Sequence, residues 1–190
     1  MAGDYEKKRD FSRTPEPGAG KGAGNGKGKG NASPMFVVQK HDASRLHYDF
    51  RLEVDGVLKS WAVPKGPSTD PRDKRLAIPT EDHPLDYADF EGVIPEDQYG
   101  GGTVIVWDRG PYDNITEKED GLVPLNQAIA DGHALVRLHG EKLRGGYALQ
   151  RTGKGKDARW LLVKMDDDGA DARRNPVSTE PESVLSGRTN

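Results

Sequence analysis

The sequence predicts a mainly β protein, a compact closed or nearly closed β-barrel of about eight short strands with one or two short helices and flexible termini. Three observations predict it. Runs rich in β-branched and aromatic residues recur from Phe36 to Met165. Glycine, proline and Asp-Gly turn signals separate them at short intervals. One stretch, Leu125 to Ala130, reads as a helix.

Residues 1–17 are polar and mixed in charge, and Gly18 to Asn31 reads GAGKGAGNGKGKGN. Composition makes the latter a lysine-dotted linker unable to pack a core. An arm with linker is therefore expected at 1–33, a barrel domain at 34–166, and a flexible tail, acidic then polar, at 167–190. Phe36–Lys40 reads as the first strand. Leu46 to Val54, LHYDFRLEV, alternates strictly between apolar and polar residues. Leu46, Tyr48, Phe50, Leu52 and Val54 would face a core, with His47, Asp49, Arg51 and Glu53 on the other side. Asp55-Gly56 is a two-residue hairpin signal leading into Val57–Val63. That loop length sets the register: Val54 opposite Val57, Arg51 opposite Ser60, Phe50 opposite Trp61, Asp49 opposite Ala62. Ser60 and Ala62 are small, which leaves room for a ligand beside Arg51 and Asp49. Pro64–Arg72 reads as a loop and Arg75–Pro79 as a short strand. Glu81–Gln98 reads as a loop, because Pro84 and Pro95 disfavour regular structure. Gly100-Gly101-Gly102 precedes a strand at Thr103–Trp107. Pro124 opens the helix and Gly132 ends it. Ala134–His139, Gly146–Arg151 and Arg159–Met165 complete the strands, and no internal repeat is visible.

A chain of 190 residues suits one domain, and with 33% hydrophobic against 31% charged residues its core should be modest. No long apolar run and no signal-peptide pattern occur, which predicts no membrane association and a cytoplasmic location. The absence of cysteine excludes disulfides and thiolate metal sites, so a metal must be held by His and carboxylate groups. A net charge of −3 argues against a long nucleic-acid footprint and permits a small site that grips one or two phosphates.

The polar face of the 46–54 strand is chemically the richest part of the chain. Solvated strand faces ordinarily carry Lys, Thr, Glu and Ser; this one carries His47, Asp49 and Arg51 in a row. His41 lies just past the first strand, so a short connection brings it toward them. Two imidazoles and one carboxylate make a three-point site for a divalent cation, with open positions for water or substrate. The planar fork of Arg51 suits phosphate oxygens. The plain alternatives are a polar face with surface histidines, and an Arg51–Asp49 ion pair worth about 0–1 kcal/mol when exposed. In Glu81-Asp82-His83-Pro84-Leu85-Asp86-Tyr87, His83 is a candidate to contact a reacting phosphate or to act as general acid on a leaving oxygen. Glu81 is a candidate to orient an imidazole, and Tyr87 to donate a phenolic hydrogen bond; an ordinary loop histidine is the alternative. Lys65 and Arg75 flank the loop after the hairpin and add positive potential, or are simply solvated. His133 and His139 share one face of a later strand and read as structural or surface residues.

Three segments occur in order: QKHDASRLHYDFRLEVDGVLKSWAVPKGPS, KRLAIPTEDHPLDYADFEG and IPEDQYGGGTVIVWDRG. With an N-terminal KRDF…TPEP segment, they resemble the 3′-phosphoesterase domain of LigD-type bacterial DNA ligases, over Asp4 to Met165. The resemblance implies a compact β-barrel and a manganese-dependent enzyme of bacterial non-homologous end joining. Such an enzyme trims 3′ ribonucleotides from a primer strand to leave a 3′-phosphate, then removes the phosphate to leave a 3′-OH. The resemblance implies His41, His47 and Asp49 as metal ligands and Arg51, His83 and Tyr87 as phosphate contacts. Lys65, Arg75, Glu81 and Gln39 match further positions around the family's active site. Arg9, Asp10 and Glu16 match positions used for activity, which favours an ordered arm over a disordered one. The long Gly/Lys linker is the departure from the family pattern. The partners implied are DNA primer–template 3′ ends bearing a ribonucleotide or 3′-phosphate, polymerase and ligase domains of the same ligase, and the Ku end-binding protein. Polymerase and ligase domains do not fit beside this one in 190 residues, so an excised domain or a stand-alone enzyme is expected, and the Ser186–Asn190 end favours excision.

Two other classes stay open. His47-x-Asp49 with His83 fits the facial triad of a non-haem iron oxygenase, a reading opposed by Arg51, Lys65 and Arg75. A non-catalytic DNA-end-binding module would use the basic arm and linker for affinity, with steep salt dependence, and leaves the histidines without a purpose.

Overall fold

The computed structural model describes residues 3–18, 33–153, 155 and 158–190. The Gly18–Asn31 linker expectation lies almost wholly outside the described residues. A short α1 (Gly3–Lys7) is followed by β1 (Met35–Asp42), β2 (Leu46–Val54), β3 (Val57–Val63) and β4 (Lys74–Pro84). A 3-10 turn at Leu85–Asp89, β5 (Gly92–Ile94) and β6 (Gly102–Asn114) come next, then the small hairpin β7 (Glu117–Lys118) and β8 (Gly121–Leu122). The chain ends with α2 (Leu125–Asp131), β9 (His133–His139), β10 (Arg144–Thr152), β11 (Arg159–Lys164) and α3 (Pro176–Thr179).

Eight strands close into an antiparallel barrel in the order β1-β2-β3-β4-β11-β10-β9-β6, with β6 returning to β1. These are the eight strands that hydrophobic patterning picks out; β1, β4, β6, β9 and β10 run longer than expected, β2 and β3 match, and β11 stops one residue short of Met165. The β2–β3 register is the one the Asp55-Gly56 turn dictates: Arg51 lies opposite Ser60, Phe50 opposite Trp61 and Asp49 opposite Ala62. Both turn residues have positive φ, 52° at Asp55 and 81° at Gly56, as a tight hairpin matching the strand twist requires. Pro124 precedes α2, and Gly132 closes it in a left-handed conformation, its N–H reaching the carbonyls of Ala128 and Ile129.

Alternation divides the strands of one wall between two cores. Phe36, Val38, Tyr48, Phe50, Leu52, Trp61, Val63 and Trp107 fill the barrel interior together with residues of β9, β10 and β11. On the opposite face of the same wall, Val37, Leu58, Val104 and Val106 pack under Tyr5, Tyr87, Ala88, Phe90 and Ile94. The barrel wall at β1, β2, β3 and β6 is thus buried on both sides, covered by α1, the 3-10 turn and β5. This changes the expectation for β2, whose polar face was to be open: Asp49 and Arg51 are buried there.

Glu81–Gln98, expected to be a loop, contains the end of β4, the 3-10 turn and β5. Its prolines sit where no central ladder bond is needed, with Pro84 at the end of β4 and Pro95 past β5. Residues 167–190, read from composition as a flexible tail, lie along the barrel. Thr69 Oγ1 donates to the Asp171 carbonyl at 2.7 Å, Trp107 Nε1 to the Glu180 carbonyl at 2.8 Å, and Val184 N to the Val106 carbonyl at 2.9 Å. Val177 packs against the interior core. His133 and His139 are exposed on β9, where Nε2 of His139 is 2.7 Å from Asp113 Oδ2. No helix among the described residues is long and apolar enough to cross a membrane.

Candidate active site

The site occupies the doubly covered wall. Because β1 and β2 are antiparallel neighbours with His41 opposite His47, the outward positions His41, His47 and Asp49 converge. One donor atom from each lies within 4.8 Å of the others. Asp49 Oδ2 is 3.3 Å from His47 Nε2 and 3.7 Å from His41 Nδ1. Donors about 2.0–2.2 Å from one cation lie roughly 3.0–3.5 Å from each other, so the cluster is close to a liganding geometry.

The outer hydrogen bonds of the imidazoles support the same assignment. His41 Nε2 is 2.6 Å from the Gly100 carbonyl, and His47 Nδ1 is 3.0 Å from the Arg45 carbonyl. A carbonyl only accepts, so each contacted nitrogen carries its proton and donates. The lone pairs are left on His41 Nδ1 and His47 Nε2, the two atoms that face Asp49. A backbone carbonyl that fixes the tautomer of a ligating histidine is a recurrent feature of metal sites. The donor set, two imidazole nitrogens and one carboxylate oxygen, fits a divalent cation with positions left open.

Burial pushes the Asp49 carboxyl up. The Arg51 charge beside it outweighs this and holds the carboxyl well below the usual carboxylate range. For His47, burial lowers the pKa, but Asp49 more than compensates and the net shift is upward. Asp49 thus presents an ionised carboxylate where a cation would sit.

Arg51, only 3% exposed, is tied down on three sides. Nε donates to Gln39 Oε1 at 2.7 Å, Nη1 to Ser60 Oγ at 2.9 Å, and Nη2 lies 3.4 Å from Asp49 Oδ2. The remaining N–H groups of the guanidinium are available to an anion. Ser60, expected to leave space, instead holds Arg51; Ala62 lines the cavity as expected. Gln39 is fully buried and donates through Nε2 to the carbonyls of Tyr87 and Phe90, which locks the 3-10 turn to the wall.

His83 Nδ1 is 2.9 Å from the Glu81 carbonyl, so Nδ1 carries the proton and Nε2 is a bare acceptor. Burial first, and then the Arg51 charge, push its pKa well below the ordinary histidine value. The resting imidazole is neutral, and an acid role needs a second proton that its surroundings oppose. Glu81 does orient an imidazole, through its backbone carbonyl rather than its carboxylate. The carboxylate faces the arm, 3.3 Å from Arg9 Nη1 and 3.5 Å from Lys8 Nζ. Tyr87 donates its hydroxyl to Glu16 Oε2 at 2.8 Å and presents its ring 5.0 Å from the Arg51 guanidinium carbon. Burial, with Glu16 adding to it, raises the phenol pKa well above normal, so the hydroxyl keeps its proton.

The arm closes the site. Arg9 Nε donates to Glu16 Oε2 at 2.9 Å, and Thr14 Oγ1 donates to Glu16 Oε1 at 2.8 Å. Tyr5, which sequence reasoning missed, is fully buried, 5.0 Å from the His83 ring and 5.8 Å from that of Tyr87. A single tyrosine in a polar, low-complexity stretch gives no periodic signal. Around this frame lies a cavity of about 300 Å³ whose lining includes Arg9, His41, His47, Asp49, Arg51, Glu81, His83 and Tyr87. Tyr99 and Gly100 also line it; the triple glycine marked a turn but not a wall of the site.

Five expected residues do not line this cavity: Glu16 and Gln39 lie behind it, holding Tyr87 and Arg51, and three lie elsewhere. Asp10 is on the surface of the arm, accepting from Ser12 N at 3.1 Å and Ser12 Oγ at 2.5 Å. Lys65 and Arg75 line a separate cavity of about 480 Å³ together with Arg72, Asp73 and Lys74. His83 is not part of the His41–His47–Asp49 donor group found among the described residues, which removes the geometric basis for the oxygenase triad.

A barrel wall carrying a cation-ready donor group, a buried guanidinium and a neutral imidazole around one cavity defines a candidate metal and oxyanion site. Residues 39–151 match the family described as the DNA Ligase D 3′-phosphoesterase domain, and the chain belongs to that family. It is 52% identical over 189 residues to the multifunctional non-homologous end joining protein LigD of Pseudomonas aeruginosa, covering 98% of this chain and 21% of that protein. It is 48% identical over 167 residues to the multifunctional non-homologous end joining DNA repair protein LigD of Mycobacterium tuberculosis, 85% of this chain and 19% of that protein. For LigD of Mycolicibacterium smegmatis the figures are 45% over 166 residues, 86% and 20%. The chain spans about a fifth of the length of these relatives.

Proposed function

We propose that the chain is a divalent-metal-dependent phosphoesterase that processes 3′ ends of DNA primer strands in bacterial double-strand break repair. It removes 3′-terminal ribonucleotides and then 3′-phosphates to leave 3′-OH ends, with manganese as the metal. The observation that carries this reading is the convergence of His41 Nδ1, His47 Nε2 and Asp49 Oδ2 beside Arg51 in one cavity. Membership of the family supports the reaction class.

His41, His47 and Asp49 would hold the metal, which when bound supplies Lewis-acid stabilisation to a phosphoryl oxygen. Arg51 has a fixed plane and a permanent charge, and its unused N–H groups bind the other phosphoryl oxygens where charge develops. His83 Nε2, a bare acceptor, accepts a hydrogen bond from the attacking water and orients it; as the water oxygen bonds to phosphorus the ester P–O bond breaks, the water's proton passes to solvent and the departing 3′ oxygen gains a proton to become the 3′-OH. Tyr87 and Gln39 hold Arg51 in place rather than touching the phosphate. Arg9 and Glu16 close the cavity and hold Tyr87. Lys65 and Arg75, grouped in their own basic cavity, act on more distant phosphates of the strand. In the longer relatives' context, the partners proposed are the polymerase and ligase domains of the same ligase and the Ku end-binding protein, in a bacterial cytoplasm.

The test is purified protein on a 5′-labelled primer–template ending in one ribonucleotide, with manganese or with a chelator. A 3′-phosphate product followed by a 3′-OH product, both lost with the chelator, is expected. Tight end binding that survives His41→Ala, without turnover, would favour a tethering module and overturn the proposal.

A further inference from the structure

Arg51 and the donor group account for a bound phosphate but not for the nucleoside that carries it. Tyr99 lines the cavity and is 49% exposed. It is the exposed aromatic side chain of the cavity lining among the described residues; Tyr87 is buried. Two cations sit against its ring, Lys8 Nζ at 4.9 Å and the Arg9 guanidinium carbon at 5.3 Å from the centroid. The Lys8 ammonium also lies 3.5 Å from the Tyr99 hydroxyl. An exposed ring with charges beside it is the pairing that single-stranded nucleic acids meet on their binding proteins: a base stacks on the ring while the charges draw the backbone.

The position of the ring is fixed relative to the donor group. The next residue, Gly100, gives its carbonyl to His41 Nε2 at 2.6 Å. Gly102 lies so close to the Asp42 carbonyl that any β-carbon would overlap it. The loop is thus clamped to the end of β1, with Tyr99 at the rim of the cavity and His41 in its wall.

We propose that Tyr99 is the stacking platform for the 3′-terminal nucleobase of the substrate strand. This rests on the phosphoesterase reading of the same cavity. Stacking tolerates every base, so Tyr99 selects for a terminal nucleotide over a bare phosphate ester without selecting sequence. The hydroxyl is incidental to this role and the ring face is what matters.

The experiment compares wild type, Tyr99→Ala, Tyr99→Phe and Tyr99→Trp on two single-stranded oligonucleotides with 3′-phosphates. One ends in a normal nucleotide and the other in a tetrahydrofuran abasic nucleotide. Kd is read by fluorescence anisotropy without metal, and KM and kcat with manganese. Tyr99→Ala should raise Kd and KM for the normal end about five- to a hundredfold, with kcat little changed. It should leave the abasic end as in wild type, while Phe and Trp retain the wild-type values. Equal effects of Tyr99→Ala on both oligonucleotides, or no effect on either, would overturn the inference. So would a loss in Tyr99→Phe as large as in Tyr99→Ala, since that assigns the effect to the hydroxyl. If wild type hydrolyses neither oligonucleotide, the phosphoesterase reading fails, and the base-dependent difference in Kd still decides the role of Tyr99.

Discussion

His83 and His47 illustrate how identical side chains acquire different work from their surroundings. His47 lies beside an anion and its pKa rises; His83 lies in a dry pocket facing a guanidinium and its pKa falls. For His83, the unfolded chain binds a proton near pH 6.5 while the folded protein refuses it. The unfolded state therefore binds more protons below that pH, and stability falls with acidity from about pH 7 downward. Urea midpoints measured from pH 7.5 to 5 should decline in wild type, and His83→Gln should lessen the decline over that window. An unchanged slope in the variant would place the titration elsewhere. The pairing of His41, His47 and Asp49 is legible in the sequence because residue type and alternation both register there. The tautomers are not, since they depend on the carbonyls of Gly100 and Arg45, which any residue could supply.

The hairpin and its two-sided wall do most of the positioning among the elements. Asp55-Gly56 fixes register through backbone conformation alone, so a two-residue signal suffices to set Arg51 opposite Ser60 and Asp49 opposite Ala62. What escapes sequence reasoning is the second layer. Tyr5, Phe90 and Ile94 come from segments with no periodicity, so the burial of Asp49 and Arg51 beneath them leaves no local trace. The 100–102 loop makes a sharper prediction at this scale. Gly102 has φ of 141° and faces the Asp42 carbonyl, so Gly102→Ala must push the loop away from β1. His41 then loses its carbonyl partner without any ligand being altered. Isothermal titration should show manganese affinity reduced about 10-fold or more, in line with other outer hydrogen bonds of metal-bound histidine. Wild-type affinity in that variant would show that the loop does not orient His41.

For the whole molecule, the closed barrel is a support that carries the donor group and its cavity on its outer wall rather than in its interior. The interior is filled by aromatic and aliphatic side chains. A net charge of −3 fits a protein that recognises an end rather than a length of nucleic acid. Binding of a 3′-phosphorylated primer–template should therefore depend only modestly on salt. A slope of log K against log salt of about −1 to −3 is expected, the mark of one to three neutralised phosphates. A slope near −6 or steeper would mean a long footprint along the duplex. The barrel is legible because eight hydrophobic runs are each separated by a turn signal; the packing of residues 167–190 is not, because single anchors such as Val177 carry it.

The most direct test is anomalous diffraction at the manganese edge from crystals soaked in manganese. A single strong peak should lie roughly 2.0–2.2 Å from His41 Nδ1, His47 Nε2 and an Asp49 carboxylate oxygen, and Asp49→Ala should abolish it. A peak held by other side chains, or none between residues 41, 47 and 49, would contradict the account.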